Sequence, residues 1–314
     1  MNSDEKYMSR CIQLAKSGAG NVAPNPMVGA VLVYENKIIG EGFHQKYGEA
    51  HAEVNCINSV PAEQKSLIEK STLYVSLEPC AHHGKTPPCA DLIVKNKIKK
   101  AVIGCQDVYE QVAGKGIEKL QNAGVEVVTG VLENESKDLN KRFFTFHQQK
   151  RPYIILKWAQ SANAKIGSKN GERVLISNGF SNRLVHKWRS EEAGILVGEN
   201  TALKDDPSLT TRLWKGENPV RIVIDPELKL PASLKIFNHE SKTIIYNLIK
   251  NSPGKNIKYI QLNPENLLES LLSSLYENDI QSLLVEGGAK TLQSFIDQNL
   301  WDEARVITNG KMII

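Results

Sequence analysis

The sequence predicts an α/β chain of two domains, and three observations carry that prediction. Its 314 residues are enough for two cores of ordinary size. Strand-like and helix-like hydrophobic patterns alternate along the whole chain. A polar stretch, Gln148-Gln-Lys-Arg-Pro152, interrupts the alternation and puts the domains at 1–148 and 149–314. Hydrophobic residues at 41% and charged residues at 24% are globular values and argue against long disorder.

In the first half, Tyr7, Met8, Cys11, Ile12 and Ala15 recur at helical spacing before Gly18-Ala-Gly20 stops the helix. Val28 to Tyr34 and Lys37 to Phe43 flank Glu35-Asn36 and read as a hairpin. His51 to Asn58 reads as a helix, Thr72 to Leu77 as a strand, and Cys89 to Asn96 as a helix begun after Pro87-Pro88. Ala101–Cys105 and Val125–Val128 complete a five-stranded sheet around the helix Gly116–Asn122. Glu133 to Gln149 reads as one polar-faced helix leading to the boundary.

Beyond Pro152 strands are expected near Tyr153–Trp158, Gly194–Val197, Val220–Ile224, Thr243–Tyr246, Ile257–Ile260, Ser282–Val285 and Glu303–Ile307. Helices near Gly179–Glu191, Glu265–Tyr276 and Thr291–Gln298 sit between them. The chain stops at Lys311-Met-Ile-Ile within sheet-like sequence, so the natural protein is expected to continue.

A net charge of +4 comes from 39 basic and 35 acidic residues, with no basic run longer than Lys97-Ile-Lys-Lys100. That balance does not suggest a nucleic-acid partner, though it suits a small phosphorylated substrate. No window has the 18 or so apolar residues of a membrane span, and the N-terminus lacks a signal-peptide core. Five cysteines, an odd number without an export signal, read as free thiols in the cytoplasm. Cys11, Cys56 and Cys105 lie in apolar patterns and are expected in the core.

The remaining two cysteines carry chemistry. Gly48-Glu-Ala-His-Ala-Glu-Val54 joins His51 to Glu53, Ser76-Leu-Glu-Pro-Cys80 follows a strand, and Cys89 opens the next helix. One imidazole and two thiolates suit zinc, and three protein ligands leave a fourth position for a water made acidic by the metal. Glu53, two residues past the histidine, is placed to shuttle a proton rather than to bind metal. His-x-Glu followed by Pro-Cys and a second Cys is the signature of zinc nucleobase deaminases. Here eight residues rather than two separate the cysteines, which marks a distinct branch. The rival reading is a closed structural site with His82 or His83 as fourth ligand, which leaves Glu53 without a task.

Pro24-Asn-Pro-Met-Val-Gly29, His51-Ala-Glu53 and Ser76-Leu-Glu-Pro-Cys-Ala-His-His-Gly-Lys-Thr-Pro-Pro-Cys89 together resemble the bifunctional riboflavin-biosynthesis deaminase–reductase family of bacteria. The resemblance covers essentially the full chain. It implies a cytidine-deaminase-like three-layer α/β/α domain followed by a dihydrofolate-reductase-like α/β domain. It implies one zinc ion at His51, Cys80 and Cys89 with Glu53 catalytic, and loss of the C2 amine from 2,5-diamino-6-ribosylamino-4(3H)-pyrimidinone 5′-phosphate. Asn25, His44, His82, Lys85 and Asp107 match positions expected to hold ring and ribose phosphate. Taken alone, Lys85 is equally a solvated loop lysine and His44 a satisfied loop histidine. After Asp107 the family usually runs Pro-Asn-Pro, where this chain has Val108-Tyr-Glu110.

In the second half the residues say less. Leu283-Leu-Val-Glu-Gly-Gly-Ala289 is a strand running through a glycine pair into a helix. Such a pair either lets backbone N–H groups approach a cofactor phosphate or merely permits close packing. Resemblance to the family's reductase domain rests on Leu156-Lys-Trp-Ala-Gln-Ser-Ala-Asn163, Trp188-Arg-Ser190, Thr201 to Arg212, Arg221-Ile-Val-Ile-Asp225 and Val285-Glu-Gly-Gly288. It implies NADPH held by Ala159, Leu175, Thr201, Asp205, Gly288, Ala289, Lys290, Thr291, Leu292, Gln293 and Ser294. Arg173, Arg189, Leu209, Arg212 and Glu286 are implied at the substrate, where hydride transfer to C1′ converts the ribosylamino group to ribitylamino. Leu175 stands where the family commonly has tryptophan, and Arg173 where it has a small or polar residue.

A homo-oligomer is the family expectation. The alternatives are a deaminase whose second domain is not catalytic, a deaminase that flips a base from RNA, and a zinc-stabilised module without activity. The second of these needs a basic stripe or stacking aromatics, and residues 25–110 supply neither clearly.

Overall fold

The computed structural model describes residues 2–82, 87–110, 112–168 and 174–314. They form two compact units, Met1–Gln149 and Lys150–Ile314.

The first unit opens with helix α1 (Ser3–Ala15), where Asn2 and Glu5 exchange side-chain hydrogen bonds with each other's backbone N–H at 2.8 and 2.9 Å. Strands β1 (Gly29–Tyr34) and β2 (Lys37–Phe43) form the expected antiparallel hairpin. Helix α2 (Ala52–Asn58), strand β3 (Thr72–Leu77), helix α3 (Cys89–Lys95), strand β4 (Lys100–Cys105), helix α4 (Lys115–Asn122) and strand β5 (Glu126–Thr129) follow. The sheet runs β2-β1-β3-β4-β5, with β3, β4 and β5 parallel. Alternation along the strands sends Ala30, Leu32, Leu73, Val75, Ala101 and Ile103 to one face, against α2 and α3. Val31, Val33, Tyr74 and Val102 meet Tyr7, Met8, Cys11 and Ile12 of α1 on the other. The result is the three-layer α/β/α arrangement.

The helix expected over Glu133–Gln149 is two, α5 (Glu133–Leu139) and α6 (Lys141–Gln149), broken at Asn140. The Asn140 amide makes both hydrogen bonds of a backbone-like pair with Met27, accepting from its N–H at 2.7 Å and donating to its carbonyl at 2.8 Å. That contact anchors the loop carrying Asn25 and explains the break.

The second unit contains β6 (Tyr153–Ser161), α7 (Gly179–Glu191), β7 (Gly194–Gly198), α8 (Glu199–Asp205), β8 (Val220–Ile224), β9 (Thr243–Asn247), β10 (Ile257–Gln261), α9 (Leu267–Glu277), β11 (Ser282–Gly287), α10 (Ala289–Asp297) and β12 (Glu303–Asn309). Its seven strands run β10-β9-β8-β7-β11-β6-β12, every pairing parallel. Leu156, Leu196, Ile222, Tyr246, Leu283 and Val285 pack on α9 and α10, while Ile195, Val197, Val223 and Ile245 face Ala202 of α8. Helix α8 was not expected from the sequence: in seven residues only Ala202 is buried, which is too little for a periodic signal.

Candidate active sites

Three N-terminal or strand-end positions converge in the first unit. His51 is the N-cap of α2, Cys89 is the first residue of α3, and Cys80 follows β3. Helix α2 can lie this close to the sheet because Gly42 faces it; a Cβ there would sit 2.3 Å from the Cys56 nitrogen. His51 Nδ1 lies 3.6 Å from Cys80 Sγ and 3.4 Å from Cys89 Sγ. All three ligand atoms fall within 4.8 Å of one another. A tetrahedron with Zn–S near 2.3 Å and Zn–N near 2.0–2.1 Å has an S···N edge of about 3.5 Å, so the donor set fits zinc in both chemistry and spacing. The Cys89 thiol, hydrogen-bonded to Cys80, holds Cys80 Sγ toward the thiolate; His51 and the Cys89 N–H at 3.3 Å reinforce this.

Glu53 lies in the first turn of α2, only 3% exposed. Burial, and then the Cys80 charge, push its carboxyl up to about 7. His44 and Asn25 stand beside the cluster. The His44 and His51 rings are 5.4 Å apart, and the Asn25 amide nitrogen is 3.2 Å from His44 Nε2. His44 Nδ1 faces the Ala50 carbonyl oxygen at 3.1 Å, which can only accept, so Nδ1 carries the proton and Nε2 accepts from Asn25. Burial keeps this imidazole neutral by pushing its pKa down. His82 packs edge-on against Tyr109, 6.3 Å between ring centres, and its buried Nδ1 has no hydrogen-bond partner among the described residues. That atom has capacity for a ligand. Asp107 follows β4 at the same sheet edge; it accepts from Tyr109 N–H at 2.7 Å, and burial raises its carboxyl to about 6. Lys85, and His83 of the rival zinc reading, lie outside the described residues.

In the second unit Glu286 ends β11 and takes a two-pronged ion pair from Arg189 of α7, Nε and Nη2 donating at 2.7 and 2.8 Å. Lys157 Nζ adds a second cation 3.6 Å away. Arg189 also donates to the Thr210 carbonyl at 3.3 Å, and Arg212 Nη1 to Thr210 Oγ1 at 2.9 Å. Beside this cluster, Gly288 caps α10, and a Cβ added to it would lie 2.9 Å from Thr201 Oγ1 of α8. Across the same edge Gly198, which caps α8, faces Thr291 Oγ1 more closely still, 2.5 Å from an added Cβ. Two helix starts, backbone glycines and threonine hydroxyls thus line one cradle, which fits a cofactor phosphate.

Residues 1–105 match the cytidine and deoxycytidylate deaminase zinc-binding region, and residues 152–313 match the RibD C-terminal domain. The chain is 42% identical to the riboflavin biosynthesis protein RibD of Aquifex aeolicus, over 99% of this chain and 88% of that one. The chain belongs to the RibD family. The RibD of Bacillus amyloliquefaciens is 40% identical over 96% of this chain and 82% of its own length. A crystal structure from Thermotoga maritima, described as a diaminohydroxyphosphoribosylaminopyrimidine deaminase/5-amino-6-(5-phosphoribosylamino)uracil reductase, superposes with a TM-score of 0.90. It is 40% identical and covers 99% of this chain and 87% of its own. Acinetobacter baumannii RibD gives 0.88 at 32% identity, over 99% of this chain and 88% of that one.

As a RibD-family member the chain is an enzyme with a zinc-dependent deaminase domain and an NADPH-dependent reductase domain. The two expected fold classes, cytidine-deaminase-like and dihydrofolate-reductase-like, hold. A match across 152–313 disfavours the reading of the second domain as non-catalytic. No described helix is long and apolar enough to cross a membrane.

Not every expected reductase residue offers its side chain. Leu209 and Leu292 are buried in the core, which leaves their backbones to meet a ligand. Gln293 turns along α10 to donate to Asp297 at 2.7 Å. Leu175 is 74% exposed, Ala159 is half-buried on β6, and Asp205, Ala289 and Lys290 are exposed near the cradle helices' ends. Ser294 turns back to the Thr291 carbonyl at 2.8 Å. Arg173 lies outside the described residues.

Sequence reasoning gave no role to Glu78. Its buried carboxylate accepts from the backbone N–H groups of Asp107, Gly114, Gly116 and Ile117 at 2.9–3.2 Å. It therefore ties the strand leading to Cys80 to the loop carrying Asp107 and to the start of α4. Glu78→Gln puts an amide donor against backbone donors. It lowers stability by about 1–3 kcal/mol in urea titration while zinc content stays unchanged. An unaltered midpoint contradicts this.

Proposed function

We propose that this enzyme hydrolyses the C2 amine of 2,5-diamino-6-ribosylamino-4(3H)-pyrimidinone 5′-phosphate and then reduces 5-amino-6-(5-phosphoribosylamino)uracil to its ribitylamino form. The observation that carries the first step is the convergence of His51 Nδ1, Cys80 Sγ and Cys89 Sγ beside a buried carboxyl. Residues 1–148 carry the deaminase and 149–314 the reductase. His51, Cys80 and Cys89 hold zinc, which when bound supplies Lewis-acid activation of water at neutral pH. Glu53 takes one proton from the attacking water and delivers it to the ring nitrogen as the water oxygen bonds to C2, then takes the second from that oxygen and delivers it to the amine; the C2–N bond breaks, ammonia leaves and C2 keeps an oxo group. Asn25 and His44 read the pyrimidinone edge, the unpartnered Nδ1 of His82 donates or accepts at the ligand, and Asp107 and Lys85 complete the wall around ring, ribose and phosphate.

In the second domain Thr201, Gly288 and Thr291, with neighbours Ala159, Leu175, Asp205, Ala289, Lys290, Leu292, Gln293 and Ser294, bind NADPH, which when bound supplies the hydride received at C1′. Arg189, Glu286 and the Leu209 backbone orient the sugar, and Arg212 and Arg173 meet its phosphate through guanidinium forks. The substrates are small phosphorylated pyrimidines, with no nucleic-acid or membrane partner. Five free cysteines suit a reducing cytoplasm, and a homo-oligomer follows the family expectation.

Removal of zinc tests the division of labour. Chelation abolishes ammonia release from the diaminopyrimidinone phosphate and leaves NADPH oxidation on the deaminated compound unchanged; added zinc restores the first activity. Loss of both activities together contradicts the assignment of metal to one site.

A further inference from the structure

Between α8 and β8 the chain passes through residues 206–219 with no helix or strand, yet this stretch carries Leu209, Thr210 and Arg212. With no ladder to fix it, side chains must. Part of the task falls within the loop, where Thr211 N–H donates to Asn218 Oδ1 at 2.8 Å. The rest falls to α7, which turns His186 and Arg189 toward it one helical turn apart. Arg189 reaches the Thr210 carbonyl, as described above. His186 is 5% exposed, and its Nδ1 accepts the Arg212 backbone N–H at 3.0 Å.

Accepting at Nδ1 settles the ring's state. An N–H can only donate, so Nδ1 is bare, the proton sits on Nε2, and the imidazole is neutral. Burial, then the charges of Arg189 and Arg212, keep it neutral by pulling its pKa down to about 4. A buried neutral imidazole between two guanidinium groups has no free acceptor with which to take a substrate proton. Its single accepting nitrogen is spent on the main chain of the very residue read as the phosphate partner.

We propose that His186 is a positioning residue of the reductase site, holding the Arg212 backbone so that the Arg212 guanidinium meets the sugar phosphate. The inference rests on the reading of the second domain given under the proposed function. It assigns His186 a part in affinity for the phosphorylated substrate and none in hydride transfer or NADPH binding.

The experiment uses the full chain and three assays: NADPH oxidation with the deaminated phosphorylated substrate, the same with its dephosphorylated form, and NADPH binding by fluorescence. His186→Leu leaves the Arg212 N–H without an acceptor and raises KM for the phosphorylated substrate about tenfold, with kcat within about twofold. NADPH affinity and the KM of the dephosphorylated form stay at wild-type values. His186→Asn, whose Oδ1 reaches the place of Nδ1, returns KM to within about threefold of wild type. An unchanged KM in His186→Leu, an equal loss on the dephosphorylated form, or an Asn variant as impaired as the Leu variant overturns the inference. Where His186→Leu does not fold, the Asn variant decides alone: wild-type-like KM supports the role and a raised KM refutes it. A wild type that leaves NADPH unoxidised overturns the reductase reading and this inference with it; an active wild type with unaffected variants overturns the inference alone.

Discussion

Replacing Glu53 with alanine lowers ammonia release by about a hundred- to ten-thousand-fold while the chain keeps one zinc ion, because the carboxyl moves protons and binds no metal. The geometry supports the separation. The three donor atoms belong to His51, Cys80 and Cys89, and the backbone places each: His51 as N-cap of α2, Cys89 at the start of α3, Cys80 by the Cys89 N–H, while Glu53 touches the set only as a hydrogen-bond partner of the Cys89 thiol. Glu53 is buried beside them with its carboxyl pushed up to about 7, so it can both take and give a proton near neutrality. Glu53→Gln separates chemistry from shape, since the amide fills the same volume and cannot accept a proton from water. Both variants show the same fall in kcat, with zinc at one equivalent by metal analysis. Zinc lost along with Glu53, or a Gln variant with wild-type turnover, removes the carboxyl from the proton path.

Much of this site was legible because its parts are set by neighbours in sequence. His51 and Glu53 share one helical turn, and Pro87-Pro88 prepares the helix that Cys89 opens. The alternating strands β1, β3 and β4 could likewise be assigned, since each sends its apolar residues to both faces of a covered sheet. What sequence did not disclose is held by distant partners. Asn140 splits a helix through a pair of bonds to Met27, 113 positions away. Glu78 stands inside the most specific motif of the chain, yet its acceptors face N–H groups 29 to 39 residues downstream. His186 looks like one polar residue on an amphipathic helix until the loop of Arg212 folds onto it. Periodicity reports which face is buried; it says nothing of which backbone group arrives there.

The same limit applies to Glu286, which the glycine pair beside it made visible and whose partner Arg189 lies 97 positions earlier. Truncating either one alone costs about 3–5 kcal/mol and abolishes NADPH oxidation, because Glu286→Ala strands the buried charges of Arg189 and Lys157, and Arg189→Ala leaves Glu286 with the more distant Lys157 alone. The exposures are low, 11% for Arg189 and 8% for Glu286, so solvent does little to screen the loss. Burial by itself raises the Glu286 carboxyl, but Arg189 and then Lys157 overcome it and hold the group down at about 2. A native pKa below the ordinary 4.5 means the unfolded chain binds the proton more readily. The pair's contribution is therefore complete above about pH 4.5 and drains away as the pH falls toward 2. Wild type loses stability across that window, and Glu286→Ala loses less, since it has no carboxylate there to protonate. The double replacement Arg189→Leu with Glu286→Leu discriminates between stability and function. It recovers part of the unfolding free energy, because two apolar side chains need no partner while Lys157, 13% exposed, loses its counter-charge, and it leaves NADPH oxidation absent. A double variant that oxidises NADPH at the wild-type rate shows that the pair is scaffold rather than site.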